Sequence, residues 1–230
     1  MSLNSLSEFL SPLYITVGFV KEDYGRIIIG SDKDAINLTP LPPYERSKYV
    51  GRIFQYPKEN LIFDLTILEN IVLSYQKLFN KKYFFPKIFL RGKIKEVIQT
   101  LKLGLEDRLD EPVGNLSGGQ KQALAVLTTI LQEPKILLLD EHTAALDIEM
   151  KKIIGDLTFD LIEKNKITSI ITSHNFKEAF MYGDRICVLH KGKIIKDITR
   201  EEKKYWSIHY INSIFNKIYE DEYMHYSESK

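Results

Sequence analysis

The chain has 230 residues, of which 44% are hydrophobic, and this is enough apolar material for one domain with a real core. The net charge of +1 gives no indication of a nucleic-acid partner. No apolar stretch reaches the roughly 18 residues of a membrane span, and no signal peptide is visible. The single cysteine, Cys187, excludes a disulfide framework. We therefore expect a soluble protein of a reducing compartment, with Cys187 as a small core residue.

The first predicted elements are short. The segment Leu13–Gly18 follows Pro12 and fits either the last turns of a helix or a short strand. Gly18–Gly25 is typical of a turn, and Arg26–Ile29 is rich in β-branched residues, which favours a strand. The regular part of the chain therefore begins at about Gly18.

A strand and two helices are predicted next. Val50–Phe54 indicates a strand that ends at Gln55, after a loop and a short helical turn over Leu41–Tyr49. Leu61–Phe79 and Ile88–Leu105 carry apolar residues at helical spacing. A lone glutamine is usually an ordinary surface residue, but its position between an apolar strand and a proline favours a functional role for Gln55.

A glycine pair then precedes an apolar helix. The helix is predicted over Lys121–Gln132, and Pro134 stops it. Glycines let a polyanion approach the backbone, and a helix N-terminus offers unpaired N–H groups and the positive end of the dipole. Taken alone the segment is equally typical of an ordinary helix cap. Its residues are Leu116, Ser117, Gly118, Gly119 and Gln120.

Two adjacent carboxylates follow the next strand. Ile136–Leu139 is a short apolar run that predicts a strand buried on both faces. It ends at Asp140 and Glu141, where open α/β sheets place their ligands. One such carboxylate can hold Mg²⁺ through water, and its neighbour can orient or deprotonate an attacking water.

The last third of the chain repeats this arrangement. Ile148–Lys164 predicts an amphipathic helix, and Ile167–Thr172 predicts a strand that runs into Ser173 and His174. A lone histidine is usually structural or exposed. The remaining predicted elements are a hairpin of Arg185–His190 with Lys193–Ile195 and a C-terminal helix over about 201–219.

These motifs, in this order and at this spacing, resemble ABC-type ATPases over about Gly18–Ile198. Asn115–Gln120 is similar to the signature motif, the strand ending at Asp140 and Glu141 to Walker B, and Ala144–Asp147 to the D-loop. The sequence from Asp140 to Asp147 is similar to the corresponding segment of ATPases from binding-protein-dependent uptake systems. The resemblance implies a single ABC ATPase domain over 1–230.

The resemblance also implies a role for each site residue. Glu141, His174 and Gln55 would be catalytic, with Gln55 near the attacking water and His174 near the γ-phosphate. Asp140 would bind Mg²⁺, together with Gln55. The residues that would contact ATP of a facing subunit are Leu116, Ser117, Gly118, Gly119, Gln120 and Asp147.

The implied fold is α/β, a P-loop NTPase-like sheet core with an inserted helical subdomain over about 61–132. The implied cofactors are ATP and Mg²⁺. The implied partners are a second ABC ATPase subunit, as a homo- or heterodimer, and transmembrane permease subunits, with no nucleic acid. The protein would lie in the cytoplasm on the inner face of the cell membrane, held there by the permease.

One element of the family pattern does not occur in the sequence. The phosphate-binding loop reads Gly-x-x-x-x-Gly-Lys-Ser/Thr and would stand a little before Gly18. The pairs Gly92-Lys93 and Gly192-Lys193 are both followed by isoleucine and lack the earlier glycine. We expect the chain alone neither to bind ATP tightly nor to hydrolyse it. We also expect low stability, because the missing strand would lie beside Ile167–Thr172.

Four hypotheses follow from this departure. The chain is the energy-coupling subunit of a transporter that imports a small solute, truncated by a gene break or a misplaced start. Alternatively it is a non-hydrolysing partner that lends its signature motif to an intact ATPase, or a non-functional gene fragment. The fourth is a different class of protein, a soluble ABC-type ATPase of DNA repair or translation. That class usually carries a second cassette or a coiled-coil arm, and the sequence contains neither.

Overall fold

The computed structural model describes residues 12–75, 87–173, 175–190, 192–205, 207 and 213. The chain divides into two compact units, one ending at Thr172 and the other beginning at Ser173. In the part of the chain that is described, no helix is long and apolar enough to cross a membrane.

The N-terminal part of the larger unit consists of short elements. Residues 12–17 are helical, so the helical alternative for this segment is correct. Strand β1 (Ile28–Ile29) pairs antiparallel with strand β2 (Ile36–Asn37), and helix α1 follows at Pro43–Arg46. The turn predicted over Gly18–Gly25 separates the helical residues from β1. Strand β1 is shorter than predicted because Ile27 is paired outside the strand: its carbonyl accepts from the amide of Leu38 and its amide donates to a threonine hydroxyl.

Arg46 fastens these short elements to each other. Its side chain is buried and donates to the backbone carbonyls of Ile15 at 2.6 Å, Leu41 at 2.8 Å, Thr39 at 3.1 Å and Thr16 at 3.3 Å. The carbonyls at the end of a helix lack partners within the helix. Arg46 therefore caps residues 12–17 while it also closes the loop after β2.

A parallel sheet forms the centre of the larger unit. Strands β3 (Val50–Ile53), β4 (Ile136–Asp140) and β5 (Thr168–Thr172) lie in the order β3-β4-β5. The β4 positions Leu137, Leu138 and Leu139 are fully buried. The bounds of these strands agree with the predicted ones to within one residue. Short apolar runs bounded by turn signals are typical of buried parallel strands, which is why the sequence indicates them.

Among the described residues, three α-helices lie between β3 and β4 in the sequence. They are α2 (Ile67–Tyr75), α3 (Lys87–Gln99) and α4 (Gly118–Ile130). The predicted start of the first helix at Leu61 is wrong, because Thr66 and Glu69 form a reciprocal capping box that begins the helix at Ile67. Helix α3 ends before Leu105 because Lys102 and Gly104 have positive φ. The assignment of 61–132 to a separate subdomain stays a prediction.

Helix α4 is the most buried helix of the unit. Every residue from Gln122 to Ile130 is buried, so the helix packs on all sides rather than along one stripe. Together with β4 it forms the main apolar core. Other fully buried members of that core are Ile53, Ile67, Ile71, Ile94, Ile98, Leu105 and Ile154.

Helix α5 (Ile148–Asn165) connects β4 to β5 and completes the parallel crossover. Lys166 follows it with φ 53° in the left-handed region, which is a common way to end a helix. The prediction of this helix over Ile148–Lys164 is correct to within one residue.

The smaller unit contains a hairpin. Helix α6 (Phe176–Tyr182) precedes strands β6 (Ile186–His190) and β7 (Lys193–Ile198), which pair antiparallel, and helix α7 is Arg200–Lys203. The predicted hairpin is confirmed. The prediction of a buried Cys187 is wrong: its side chain is exposed and lies 3.7 Å from Asp197, because a two-stranded sheet leaves much of its surface in solvent. The C-terminal helix predicted over about 201–219 falls largely outside the described residues.

Strand β5 is an edge strand among the residues that the structure describes. It pairs with β4 on one side, and its side chains are exposed or half-buried, in contrast to those of β4. Ile170 is 46% exposed. An exposed edge strand with an apolar side chain is a template for pairing with another chain.

We expect Arg46→Met to lower the free energy of unfolding by about 3 kcal/mol. Each buried carbonyl left unpaired costs about 1–3 kcal/mol, and the total is smaller than the sum because water will reach some of these carbonyls. Urea denaturation measures the loss. The matched control is Arg91→Met, which removes a surface ion pair to Asp110 and should cost less than about 1 kcal/mol. Equal losses in the two variants would contradict the capping role of Arg46.

We expect the chain to self-associate through β5 and Ile170→Lys to reduce that association, because charge on an edge strand opposes edge-to-edge pairing. Sedimentation velocity over a range of protein concentrations measures it. Ile194→Lys is the control, since Ile194 is 62% exposed on β7, in a different sheet. A wild-type chain that stays monomeric would show that the β5 edge is covered.

Candidate functional site

The polar residues of the candidate site lie where the parallel strands end. Asp140 closes β4 and is paired in register with Thr172, the last residue of β5. The hydroxyl of Thr172 lies 3.2 Å from Oδ1 of Asp140. Carboxyl ends of parallel strands meet at one edge of a sheet, which is where open α/β sheets bind their ligands.

Asp140 forms a buried ion pair with Arg52 of β3. Nη2 of Arg52 donates to Oδ2 of Asp140 at 2.7 Å, and the two side chains are 5% and 10% exposed. Burial of an isolated charge is very costly, so each group depends on the other. Arg52 is not among the predicted site residues. An arginine inside an otherwise apolar strand is a sequence signal for such a residue, because a charged side chain there requires a partner.

Two aromatic rings lie close to the Arg52 guanidinium. Its Cζ lies 4.2 Å from the centre of the Tyr14 ring and 4.1 Å from that of Phe54. Its Nε and Nη1 are buried and have no hydrogen-bond partner within the described part of the chain. The guanidinium thus contacts one carboxylate and two aromatic rings. Such contacts suit a guanidinium, because the group is planar and only weakly hydrated.

The predicted magnesium role of Asp140 stays a prediction. Oδ2 of Asp140 accepts from Arg52 and Oδ1 accepts from Thr172, so each carboxylate oxygen already has one protein donor. Among the described residues, no group of three or more His, Cys, Asp or Glu side chains is placed to hold a metal ion. The cation that lies against this carboxylate in the structure is the guanidinium of Arg52.

Gln55 lies in the bend that follows β3 and is half-buried. The side chain of Asn60 fixes this bend, since its Oδ1 accepts from the amide of Phe54 and its Nδ2 donates to the carbonyl of Arg52. The buried side chain of Gln122 in α4 donates to the carbonyl of Phe54 at 3.2 Å. The bend that carries Gln55 is therefore tied to α4.

Glu141 adopts a backbone conformation that few residues tolerate. Its φ is 44°, in the left-handed region, and its carbonyl accepts from the amide of Ala144 at 2.8 Å. A non-glycine residue in this region costs on the order of 1–2 kcal/mol, and such residues cluster at functional sites. The sharp turn after β4 thus carries the predicted general base.

His142 is buried beside Glu141. It is 5% exposed, and its Nε2 has no hydrogen-bond partner among the residues that the structure describes. Burial disfavours the charged imidazolium and lowers the pKa of His142 to about 4. His142 is therefore neutral in the folded protein at neutral pH.

Gly118 and Gly119 are the first two residues of α4, so the helix begins three residues before the predicted start at Lys121 and ends two residues before the predicted end at Gln132. Ser117 is the N-cap: its hydroxyl accepts from the amide of Gln120 at 3.3 Å, and Oε1 of Gln120 accepts from the amide of Ser117 at 3.1 Å. Arg108 holds Gln120 from the side, with Nη1 3.4 Å from Oε1, while Glu111 accepts from Arg108 at 2.6 and 2.8 Å. This capping box fixes the first turn of the helix.

The residues around this cap divide into exposed and buried ones. Ser117 and Gly118 are exposed, whereas the Leu116 side chain is 4% exposed and belongs to the core, so only its backbone can meet a ligand. Gly119 is buried against Met150, whose Cε would lie 2.0 Å from a Cβ at that position. The cap thus presents backbone and one hydroxyl to solvent.

Asp147 caps the next helix. Its side chain accepts from the amide of Met150 at 2.9 Å and begins α5. Leu146 lies near Gly118, because a Cβ on that glycine would be 3.8 Å from its Cδ2. The structure therefore brings the segment before α5 and the start of α4 together. The remaining predicted site residue, His174, lies outside the described residues.

Comparison with known proteins identifies the family. A family model described as ABC transporter matches residues 12–144, which is more than half of the chain. The chain belongs to the ABC transporter family. The assignments of Asp140 to the Walker B strand, Ser117 to the signature motif and Asp147 to the D-loop stay predictions; the family model ends at residue 144, before Asp147.

Two relatives are transport ATP-binding proteins. The chain is 37% identical over 195 residues to a tyrosine transport ATP-binding protein of Clostridioides difficile, covering 84% of this chain and 75% of the relative. It is 32% identical over 177 residues to an energy-coupling factor transporter ATP-binding protein of Bacillus subtilis, covering 77% of this chain and 62% of the relative. An ATP-binding, energy-coupling role is thereby supported.

A solved structure shows the same fold. The dimeric post-hydrolysis state of an ATP-binding cassette bound to ADP and phosphate matches with a TM-score of 0.65 and 27% identity, over 83% of this chain and 79% of that one. The predicted α/β, P-loop NTPase-like fold is confirmed. ATP binding, typically with Mg²⁺, is the property that this family implies.

The burial of His142 predicts a pH dependence of stability. The pKa of His142 is about 4 in the folded chain and 6.5 ordinarily. As the pH falls from 6.5 to 4, His142 therefore binds a proton in the unfolded chain but not in the folded chain. Stability should fall between pH 6.5 and 4 by about 3 kcal/mol, at 1.36 kcal/mol per unit. His142→Met should remove this part, as measured by urea denaturation at several pH values. The same pH dependence in the variant would show that His142 is protonated in the folded protein.

Proposed function

We propose that the chain is the ATP-binding, energy-coupling subunit of an ABC transporter that imports a small solute. In this role it contributes its signature motif to ATP held by a facing ATPase subunit. The observation that carries the proposal is the exposed first turn of α4, capped by Ser117 and opened by Gly118.

The first turn of α4 has the chemistry that a terminal phosphate requires. The first amide N–H groups of a helix have no partners within it, and the dipole places partial positive charge there. The Ser117 hydroxyl accepts one N–H in the capping box and keeps its own proton for donation. Because Gly118 has no side chain, a phosphate can approach this backbone closely.

The half of the site that would hold ATP in the same chain has weaker support. Asp140 is engaged by Arg52, and His174 lies outside the described residues. Positioning and charge stabilisation at the β- and γ-phosphates supply most of the rate in phosphoryl transfer. We therefore assign no hydrolytic step to Glu141, His174 or Gln55, whose catalytic roles remain predictions.

A membrane partner is part of the proposal. Both relatives described above are transport proteins by name. Apolar side chains stand exposed near the Gln55 bend and on α2: Tyr56 at 50%, Ile62 at 52% and Leu73 at 43%. Asn70 of α2 bonds both backbone groups of Ile62, which joins this surface to the helix. It is a suitable face for a permease on the inner side of the membrane.

The proposal predicts that Gly118 matters and Glu141 does not. Gly118→Asp would place a carboxylate against the partner's phosphate and should reduce stimulation of the partner about 10²-fold. The fold should tolerate it, since the nearest atom to a Cβ there is 3.8 Å away. Glu141→Gln should leave stimulation unchanged, because the partner supplies its own base. The measurement is the ATPase rate of an intact ABC ATPase with its permease, titrated with each variant.

Gly118→Asn is the matched control for charge, since it adds a side chain of the same shape without a negative charge. It should retain more stimulation than Gly118→Asp. Equal effects of Gly118→Asp and Glu141→Gln would reject donation in trans. Stimulation by none of the variants, wild type included, would also reject the proposal.

A further inference from the structure

The carboxylate that ends the Walker B strand already has a cation. We propose that Arg52 is the resident counter-ion of Asp140, and that this pairing keeps divalent cations from binding to Asp140. The inference concerns a different part of the molecule from the signature motif. It does not depend on whether the chain acts in trans.

The sheet register brings the two groups together. Arg52 of β3 is paired with Leu138 of β4, and Asp140 stands two residues further along β4. Side chains two residues apart on a strand point to the same face, so Arg52 and Asp140 are diagonal neighbours on one face of the sheet. The contact follows from regular strand geometry and does not need an unusual backbone.

The surroundings of Arg52 hold it at this carboxylate. Its Cζ lies 4.2 Å from the centre of the Tyr14 ring and 4.1 Å from that of Phe54, and the side chain is 5% exposed. Among the described residues, its Nε and Nη1 are buried without a hydrogen-bond partner. If the guanidinium moved away from Asp140, it would lose the ion pair and both ring contacts.

This pairing opposes a metal ion at the carboxylate. A cation bound at Oδ2 would stand beside a guanidinium that is always charged and whose Nη2 lies 2.7 Å from that oxygen. The other oxygen already accepts from the hydroxyl of Thr172 at 3.2 Å. Repulsion between the like charges of Arg52 and the metal ion opposes metal binding.

Titration of the 230-residue chain with Mn²⁺ alone tests this inference, with free Mn²⁺ measured by electron paramagnetic resonance. Wild type and Asp140→Asn should bind Mn²⁺ equally, because Asp140 is not available in either. Arg52→Met should gain a site at least roughly tenfold stronger than any in the wild type, since a repelling charge is gone and a carboxylate is freed. The added substitution Asp140→Asn should abolish that gain.

Two control variants secure the result. Arg52→Lys keeps the positive charge and should not gain the site. If Arg52→Met does not fold, as judged by circular dichroism, Arg52→Gln takes its place, because it keeps side-chain donors without the charge. Binding of Mn²⁺ to the wild type that Asp140→Asn removes would overturn the inference. A folded uncharged variant at position 52 that gains no Asp140-dependent site would overturn it as well.

Discussion

The ion pair between Arg52 and Asp140 is the interaction on which the arrangement of the larger unit depends. It joins β3 to β4, and through the Tyr14 ring it joins the sheet to residues 12–17. Removing one partner of a buried pair typically costs about 3–5 kcal/mol, because the other charge remains buried and uncompensated. A typical domain has only about 5–15 kcal/mol of total stability. The position of the N-terminal helical residues is therefore coupled to the end of the Walker B strand.

The sequence predicted the elements whose signals are local. The apolar run of β4 and the amphipathic pattern of α5 lie close to the bounds of the structure, and the capping of α4 follows from Ser117 and its neighbours. The partner of Arg52 could not be predicted, because it lies 88 residues away and periodicity carries no information about pairing. The apolar sequence around Cys187 predicts a position in the core. The side chain is exposed instead, because a short hairpin cannot bury both faces of its sheet.

The candidate site likewise has one half that local sequence predicts and one half that depends on long-range contacts. Its signature half is a local structure, in which a serine, two glycines and a glutamine form a helix cap that the sequence specifies almost completely. Its Walker B half depends on tertiary contacts: the buried imidazole of His142, the left-handed backbone of Glu141 and the closed carboxylate of Asp140. A motif states which residue types are present. The neighbours that the fold supplies decide whether those groups are available to a ligand.

The two halves therefore differ in how their polar groups are satisfied. At the start of α4 the first-turn amides lack helical partners and Ser117 retains a proton to donate, so this exposed surface offers donors to water or to an anion. At Asp140 both oxygens already accept from protein donors. Removing the partner of a buried polar group costs free energy, whereas a donor in solvent can exchange water for another acceptor. Asp140 is thus tied to its protein neighbours, whereas the first turn of α4 is open to a ligand, and the nucleotide contact proposed above lies there.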